Sequence, residues 1–186
     1  MLEGRLVRLR AIEPSDRERA VAWLNDPEVT YYLTERYERS PDASTWLSDG
    51  PANGFADGVR LAVETKDGAH VGAVNLYRLQ PEDRKGGLGI IIGEKEHWGR
   101  GYGSDAIVTL LGFAFREMNL NRVWLTVMDG HERAIACYRS CGFREEARRR
   151  REVYKHGRYW DFIVMGILRD EFDERGVGRS KGGDDA

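Results

Sequence analysis

Three groups of residues in this sequence have types and spacing suited to chemistry. The first is Trp98-Gly99-Arg100-Gly101-Tyr102-Gly103-Ser104, where glycine recurs at alternate positions between the apolar run Ile90-Ile91-Ile92-Gly93 and a helical pattern. Glycine permits positive φ and close backbone approach by a ligand. A loop that opens a helix presents unpaired N–H groups and the positive end of the helix dipole, which makes an anion site, most often for phosphate. The second is Glu94, the first carboxylate after the apolar run. The third is His131 and Tyr138, an imidazole and a phenol seven residues apart, each able to give or take a proton.

Spacing excludes two nucleotide-binding patterns. A P-loop carries Gly-Lys-Ser/Thr, and this loop reads Gly103-Ser104-Asp105. A dinucleotide fingerprint needs Gly-x-Gly-x-x-Gly, and the interval from Gly101 to Gly103 is too short, with too few βα units after it.

The elements that must position these groups follow from periodicity. Leu88 to Ile92 reads as a strand covered on both faces. A helix begins near Ser104, an N-cap type with Asp105 in the first turn, and runs to about Met118 on an Ala106, Ile107, Leu110, Leu111, Ala114, Phe115 stripe. Val123 to Val127 is a buried strand. A helix from His131 to Cys141 ends at Gly142. Before this centre come a strand over residues 4–10, a helix started by Glu13-Pro14-Ser15-Asp16 and stopped at Asn25-Asp26-Pro27, a helix near Asp42 to Leu47, and strands Gly58 to Thr65 and Ala69 to Leu79 joined at Asp67-Gly68. After it comes a hairpin, Phe143 to Val153 and Tyr159 to Leu168, turning at Lys155-His156-Gly157. The order β, αα, βββ, α, β, α, ββ predicts a mixed sheet with helices on its faces. Residues 25–57 read as the substrate-facing part.

The 186 residues suit one domain, and a net charge of −2 gives no electrostatic argument for a nucleic-acid or membrane partner. No apolar run reaches the length of a membrane span, and Met1 to Leu6 has no secretory h-region, so the expected location is the cytoplasm. Cys137 and Cys141 are four apart in a helical pattern, poor geometry for a disulfide, and read as reduced core thiols. No further ligands at suitable spacing accompany them, so no metal is expected. Arg148 to Arg151 reads as a solvated strand rather than an RNA or acidic-peptide site, because alternation divides the side chains between two faces. Trp46, Trp160 and Tyr31 read as core rather than acceptor pocket.

With these residues in view, the chain resembles the GNAT superfamily of acyl-CoA-dependent N-acetyltransferases. The loop Trp98 to Gly103 is similar to the family's Gln/Arg-x-x-Gly-x-Gly/Ala motif, with Trp98 at the Gln/Arg position. His131 to Phe143 is similar to Asn-x-x-Ala-x-x-x-Tyr-x-x-x-Gly-Phe, with His131 at the Asn position. Asn25-Asp26-Pro27-Glu28-Val29 and Gly157-Arg158-Tyr159-Trp160-Asp161 narrow the resemblance to the ribosomal-protein N-terminal (Rim-type) acetyltransferase branch.

The resemblance implies an α/β (mixed α+β) GNAT-like fold: a central, mostly antiparallel twisted sheet with a splayed parallel strand pair and helices on both faces. It implies one acyltransferase domain over residues 1–172, with residues 173–186 a disordered tail. Acetyl-CoA would be co-substrate, lying between strands 88–92 and 123–127. Backbone groups of Ile91, Ile92 and Gly93 would pair with pantetheine, and the N–H groups from Arg100 through Gly101, Tyr102 and Gly103 to Ser104 would hold pyrophosphate. Trp98, His131, Ala134 and Tyr138 complete the expected cofactor contacts. Tyr138 would act as general acid toward the departing thiolate. Glu94, directly or through water, or His131 would act as base, or water alone would relay the proton. The acceptor would be a primary amine, a protein N-terminus or a small molecule, and homodimers are frequent in the branch. A non-catalytic acyl-CoA sensor and a transferase for another acyl group such as succinyl are the alternatives.

Overall fold

The computed structural model describes residues 1–34 and 58–174. The helix expected near Asp42 to Leu47, Trp46 and the expected tail beyond 174 lie outside the described residues. Eight strands form one sheet, in the order β1-β2-β3-β4-β5-β6-β8-β7. They are β1 (Leu2–Glu3), β2 (Val7–Arg10), β3 (Val59–Thr65), β4 (His70–Gln80), β5 (Lys85–Ile92), β6 (Arg122–Met128), β7 (Arg144–Lys155) and β8 (Arg158–Leu168). Among the described residues the helices are α1 (Arg17–Asn25), α2 (Tyr102–Arg116), α3 (Glu132–Cys141) and α4 (Arg169–Glu174). Every neighbouring pair of strands is antiparallel except β5 and β6. The expected mixed architecture is therefore present.

Several boundaries differ from the sequence reading. Of the strand expected over residues 4–10 only Val7–Arg10 forms, because the chain folds back at Gly4 and a further short strand before it pairs Leu2 with Leu9. The second helix, α2, begins at Tyr102, two residues before Ser104, with Gly101 at φ 86° as its N-cap. Ser104 therefore sits inside the first turn. Asp105 does not cap its own helix. Its carboxylate accepts the backbone N–H groups of Arg5, Leu6 and Val7 at 3.1, 2.7 and 3.0 Å, tying the N-terminal hairpin to α2. The closing hairpin turns on His156 and Gly157 alone, at φ 54° and 74°. Two consecutive positive values are the signature of a tight two-residue hairpin turn.

The main core lies between α2 and one sheet face. Ile107, Leu110 and Leu111 pack there with Leu88, Val123, Leu125, Ile163 and Met165, all buried. On the other face α1 sets Trp23 and Leu24 against Ala73 and Ile91. The Trp23 ring lies where a side chain on Gly93 would stand. Trp160 is buried with Met128 and Val153, as expected of a core residue. Tyr31 departs from that expectation: it is 38% exposed and stacks on His156, with ring centroids 4.2 Å apart. The edge strand β7 is exposed from Arg144 to Glu152. Arg148 pairs with Asp129 and Asp161, and Arg149 with Glu152, so the arginine run is a solvated strand with partners of its own.

Candidate active site

Pairing between β5 and β6 stops early. Lys85, Gly86 and Gly87 pair in parallel with Arg122, Val123 and Trp124, and beyond Trp124 the two strands share no further pairs. Leu88 to Ile92 and Leu125 to Met128 therefore diverge. A cavity of about 340 Å³ occupies this opening. Its walls include Ile90, Ile91 and Ile92 of β5, Trp98, Gly101, Tyr102, Gly103 and Ser104 of the loop and α2, and His131, Ala134 and Tyr138 at the start and middle of α3. Ten of the twelve expected cofactor residues thus border one cavity. Gly93 and Arg100 do not. Arg100 is exposed and lies over the Tyr102 ring at 5.7 Å.

The loop is built as its glycines demand. Gly99 and Gly101 have φ of 72° and 86°, where a Cβ costs about 1–2 kcal/mol. Two left-handed steps turn the chain so that α2 begins at the cavity. The N–H groups of its first turn, Tyr102 to Ser104, precede the first intrahelical acceptor and have no partner within the helix. The bond from Asp105 N to Gly101 O, at 3.0 Å, closes that turn.

Along β5 the structure corrects which backbone groups face the gap. Gly93 N–H donates to Val71 O at 2.9 Å, so Gly93 faces β4. The Ile91 carbonyl likewise faces Gly72. Alternate residues turn the other way, which directs Ile90 and Ile92 to the opening. The Ile92 carbonyl is already taken: Trp98 Nε1 donates to it at 2.6 Å. Arg133 stacks on the same indole, 3.8 Å from the ring centroid. The Gly93 and Ile91 backbone groups are thus spent within the sheet, and Ile90, which was not singled out in the sequence, takes their place. Strict period-2 alternation was the signal that could have found it.

The ionisable groups divide. Tyr138 is half-buried on the cavity wall, edge-on to Phe143 with centroids 6.1 Å apart. Burial pushes its phenol well above the usual value, and the nearby thiols and Tyr77 add to the effect. It stays protonated across the neutral range. His131 goes the other way. Burial, then repulsion from Arg133, pulls it down to about 4. Its ring stacks on Tyr32 at 4.4 Å and 9°. His131 is therefore neutral near pH 7 and far too weak a base for an ammonium ion, which removes the titration expected of it. Glu94 does not border the cavity. It lines a separate cleft with Trp23 and α1, where Trp23 Nε1 donates to it at 3.1 Å and Arg19 lies 3.5 Å away. The tight packing of Trp23 on Gly93 turns the following carboxylate to the α1 side.

Cys137 is a free thiol packed half-buried against the main core, as expected, and it also faces the opening. It borders the cavity, with its sulfur 3.2 Å from Ser104 Oγ. The neighbouring Cys141 thiol, opposed by burial and assisted by Ser104, lowers it below the ordinary thiol value. Cys141 is buried behind it. Among the described residues no cluster of His, Cys, Asp and Glu could hold a metal ion, and no helix is long and apolar enough to cross a membrane. From the early part of the chain, Val29 and Leu33 reach the cavity. The rest of the segment expected to face substrate, from residue 35 on, lies outside the described residues.

Comparison with known proteins agrees with this geometry. Residues 6–144 match the family model of the acetyltransferase (GNAT) domain. The spermidine N(1)-acetyltransferase of Vibrio cholerae serotype O1 is 31% identical over 169 residues, covering 90% of this chain and 95% of that protein. The putative ribosomal N-acetyltransferase YdaF of Bacillus subtilis is 28% identical over 179 residues, covering 90% and 93%. The crystal structure of the Vibrio cholerae spermidine N-acetyltransferase in complex with CoA and spermine superposes with a TM-score of 0.81 at 29% identity, over 90% of this chain and 98% of that one. A glycine turn at a helix start, a parallel strand pair that parts beside a half-buried phenol, and a family match over residues 6–144 together place this chain in the GNAT acetyltransferase family.

Proposed function

We propose that this protein transfers the acetyl group of acetyl-CoA to a primary amine by direct attack in a ternary complex. The observation that carries the reading is the early end of β5–β6 pairing at Gly87 and Trp124, with Tyr138 and the α2 N-terminus bordering the opening. The residues fit the co-substrate. The N–H groups of Tyr102, Gly103 and Ser104 suit its pyrophosphate. The edge of β5 at Ile90 suits a pantetheine amide, as an added strand would. Acetyl-CoA supplies a thioester carbonyl and a sulfur leaving group.

The chain's own groups then do three things. The cleft orients the amine against the carbonyl, which accounts for a large share of the rate. Tyr138, held protonated by burial, donates its hydrogen to the departing sulfur. Neither His131, too weak a base, nor Glu94, engaged with Trp23 and Arg19, is suited to take the amine proton, so water carries it away. The acceptor is an amine presented from the side of Val29 and Leu33, either a polypeptide N-terminus or a small amine.

The test is thiol release from acetyl-CoA against peptides and small amines, with Tyr138→Phe in parallel. Turnover that falls by about 10²-fold or more in the variant, with acetyl-CoA affinity kept, supports the assignment. Failure of the protein to bind acetyl-CoA overturns it.

A further inference from the structure

Residues 29–33 cross the line along which β5 and β6 part. Val29 and Leu33 pack on the cluster of Trp23, Ala73 and Ile91, on the β4–β5 half of the sheet. Tyr32 packs on the cluster of Met128, Val153 and Trp160, on the other half. Its ring also stacks on His131 at the start of α3. The crossing is a turn, closed by Leu33 N–H donating to Thr30 O at 3.0 Å. Its base is held by Asp26, whose carbonyl accepts Thr30 N–H at 3.0 Å and Thr30 Oγ1 at 2.9 Å.

The other side of this turn is held by the β7–β8 hairpin, far along the chain. The half-buried Lys155 ammonium donates to the carbonyl oxygens of Thr30 and Leu33, at 2.6 and 2.7 Å. His156 Nε2 lies 3.1 Å from the Tyr31 carbonyl oxygen, and its ring stacks on the Tyr31 ring. Two adjacent residues of the hairpin thus take three carbonyls of the turn. Turn carbonyls have no ladder to pair in, and bonds from an ammonium are the stronger kind. Lys155 is itself fixed from behind, because Trp160 Nε1 donates to its carbonyl at 2.9 Å.

Val29 and Leu33 wall the same cavity that the glycine loop borders. Of its lining, Ile107 belongs to the α2 core and Ile91 to the α1 cluster, so the cavity passes between the strands from one sheet face to the other. The first turn of α2 suits the phosphates, which leaves the end at Val29 and Leu33 to the amine. We propose that Lys155 is a positioning residue for the acceptor: it fixes the Thr30–Leu33 turn and, through it, the two apolar side chains that line the amine's end of the cavity. The inference rests on the acetyltransferase reading above. A shift of about 1 Å in that wall takes the amine off its line of attack on the thioester carbonyl, while the phosphate contacts at the other end stay as they are.

The experiment compares the parent with Lys155→Met, which keeps most of the stem and removes the donor, and with Lys155→Arg, which keeps a charged donor. Steady-state kinetics are measured with spermidine and with a tripeptide bearing a free α-amine, acetyl-CoA affinity by calorimetry, and hydrogen exchange over residues 29–33 by mass spectrometry. Expected in Lys155→Met is a rise of about tenfold in the KM of the amine that the parent turns over, the size of a lost hydrogen bond to a charged group, with acetyl-CoA affinity little changed. Exchange over residues 29–33 should become faster, and Lys155→Arg should restore most of both. An unchanged amine KM, or a loss of acetyl-CoA affinity as large as the effect on the amine, overturns the assignment. If Lys155→Met does not fold, His156→Ala, which removes the stack on Tyr31, must show the same split between amine KM and acetyl-CoA affinity, and its absence overturns the assignment. A parent that binds acetyl-CoA and turns over neither amine overturns it too and leaves the co-substrate site standing. Failure of the parent to bind acetyl-CoA overturns both readings.

Discussion

The indole nitrogen of Trp98 donates to the carbonyl oxygen of Ile92 at 2.6 Å, closing the glycine loop onto the strand beside which the co-substrate would lie. The same ring carries the Arg133 guanidinium on its face. One side chain thus joins β5, the loop and the start of α3. Trp98→Phe keeps the ring and frees the carbonyl. The expected result is a rise in the KM for acetyl-CoA of about fivefold, the equivalent of one hydrogen bond, with kcat little changed. Steady-state kinetics at saturating amine measure it, and an unchanged KM would show that the loop holds its position without this bond.

His131 gives the protein an acid-side slope. Its folded value of about 4 lies below the ordinary value near 6.5. The unfolded chain therefore binds more protons than the folded one between these values, and stability is lost as pH falls through that window. Above pH 6.5 the residue contributes no pH dependence. Thermal melting of the parent and of His131→Gln from pH 4 to 8 should show a shallower acid slope in the variant. The kcat/KM profile of the parent should show no limb between pH 6 and 7 that disappears in His131→Gln.

The Arg10 guanidinium is held by Asp16 at 2.7 and 2.9 Å and by Glu64 at 2.6 Å. His70 lies 3.1 Å from the same aspartate, and its Nε2 donates to Gly72 O at 2.9 Å. Asp16 is only 4% exposed. Asp16→Ala leaves a half-buried guanidinium with half its partners, a loss of about 3 kcal/mol, the low end for breaking a buried pair. Urea denaturation at neutral pH reads this directly. A change below about 1 kcal/mol would mean that water reaches Arg10 and the network behaves as a surface one.

Cys137 lies against the first turn of α2, close to Ser104, where a thiolate is favoured. Iodoacetamide near neutral pH should alkylate Cys137 ahead of Cys141, and acetyl-CoA should slow the reaction. Mass spectrometry of the tryptic peptides distinguishes the two sites. Labelling at the same rate with and without acetyl-CoA would place the co-substrate away from this wall.

What the sequence determined by itself was local and periodic. The glycines at 99 and 101 were legible because only glycine takes positive φ freely, and the α2 stripe from Ala106 to Phe115 because helical spacing marks a buried face. The family was legible from two motifs at a fixed separation. Tertiary structure alone decided which of the chemically able groups share a space. Glu94 follows the same strand as Ile92, yet the Trp23 ring on Gly93 turns it to the α1 cleft. His131 begins the same helix that carries Tyr138, yet burial beside Tyr32 and Arg133 removes its charge near neutral pH. Tyr77 carries no motif, and its ring reaches Trp124 only because β5 has glycine at 87 between them. Register, desolvation and the parting of two strands depend on residues far apart in the chain, and no local pattern encodes them.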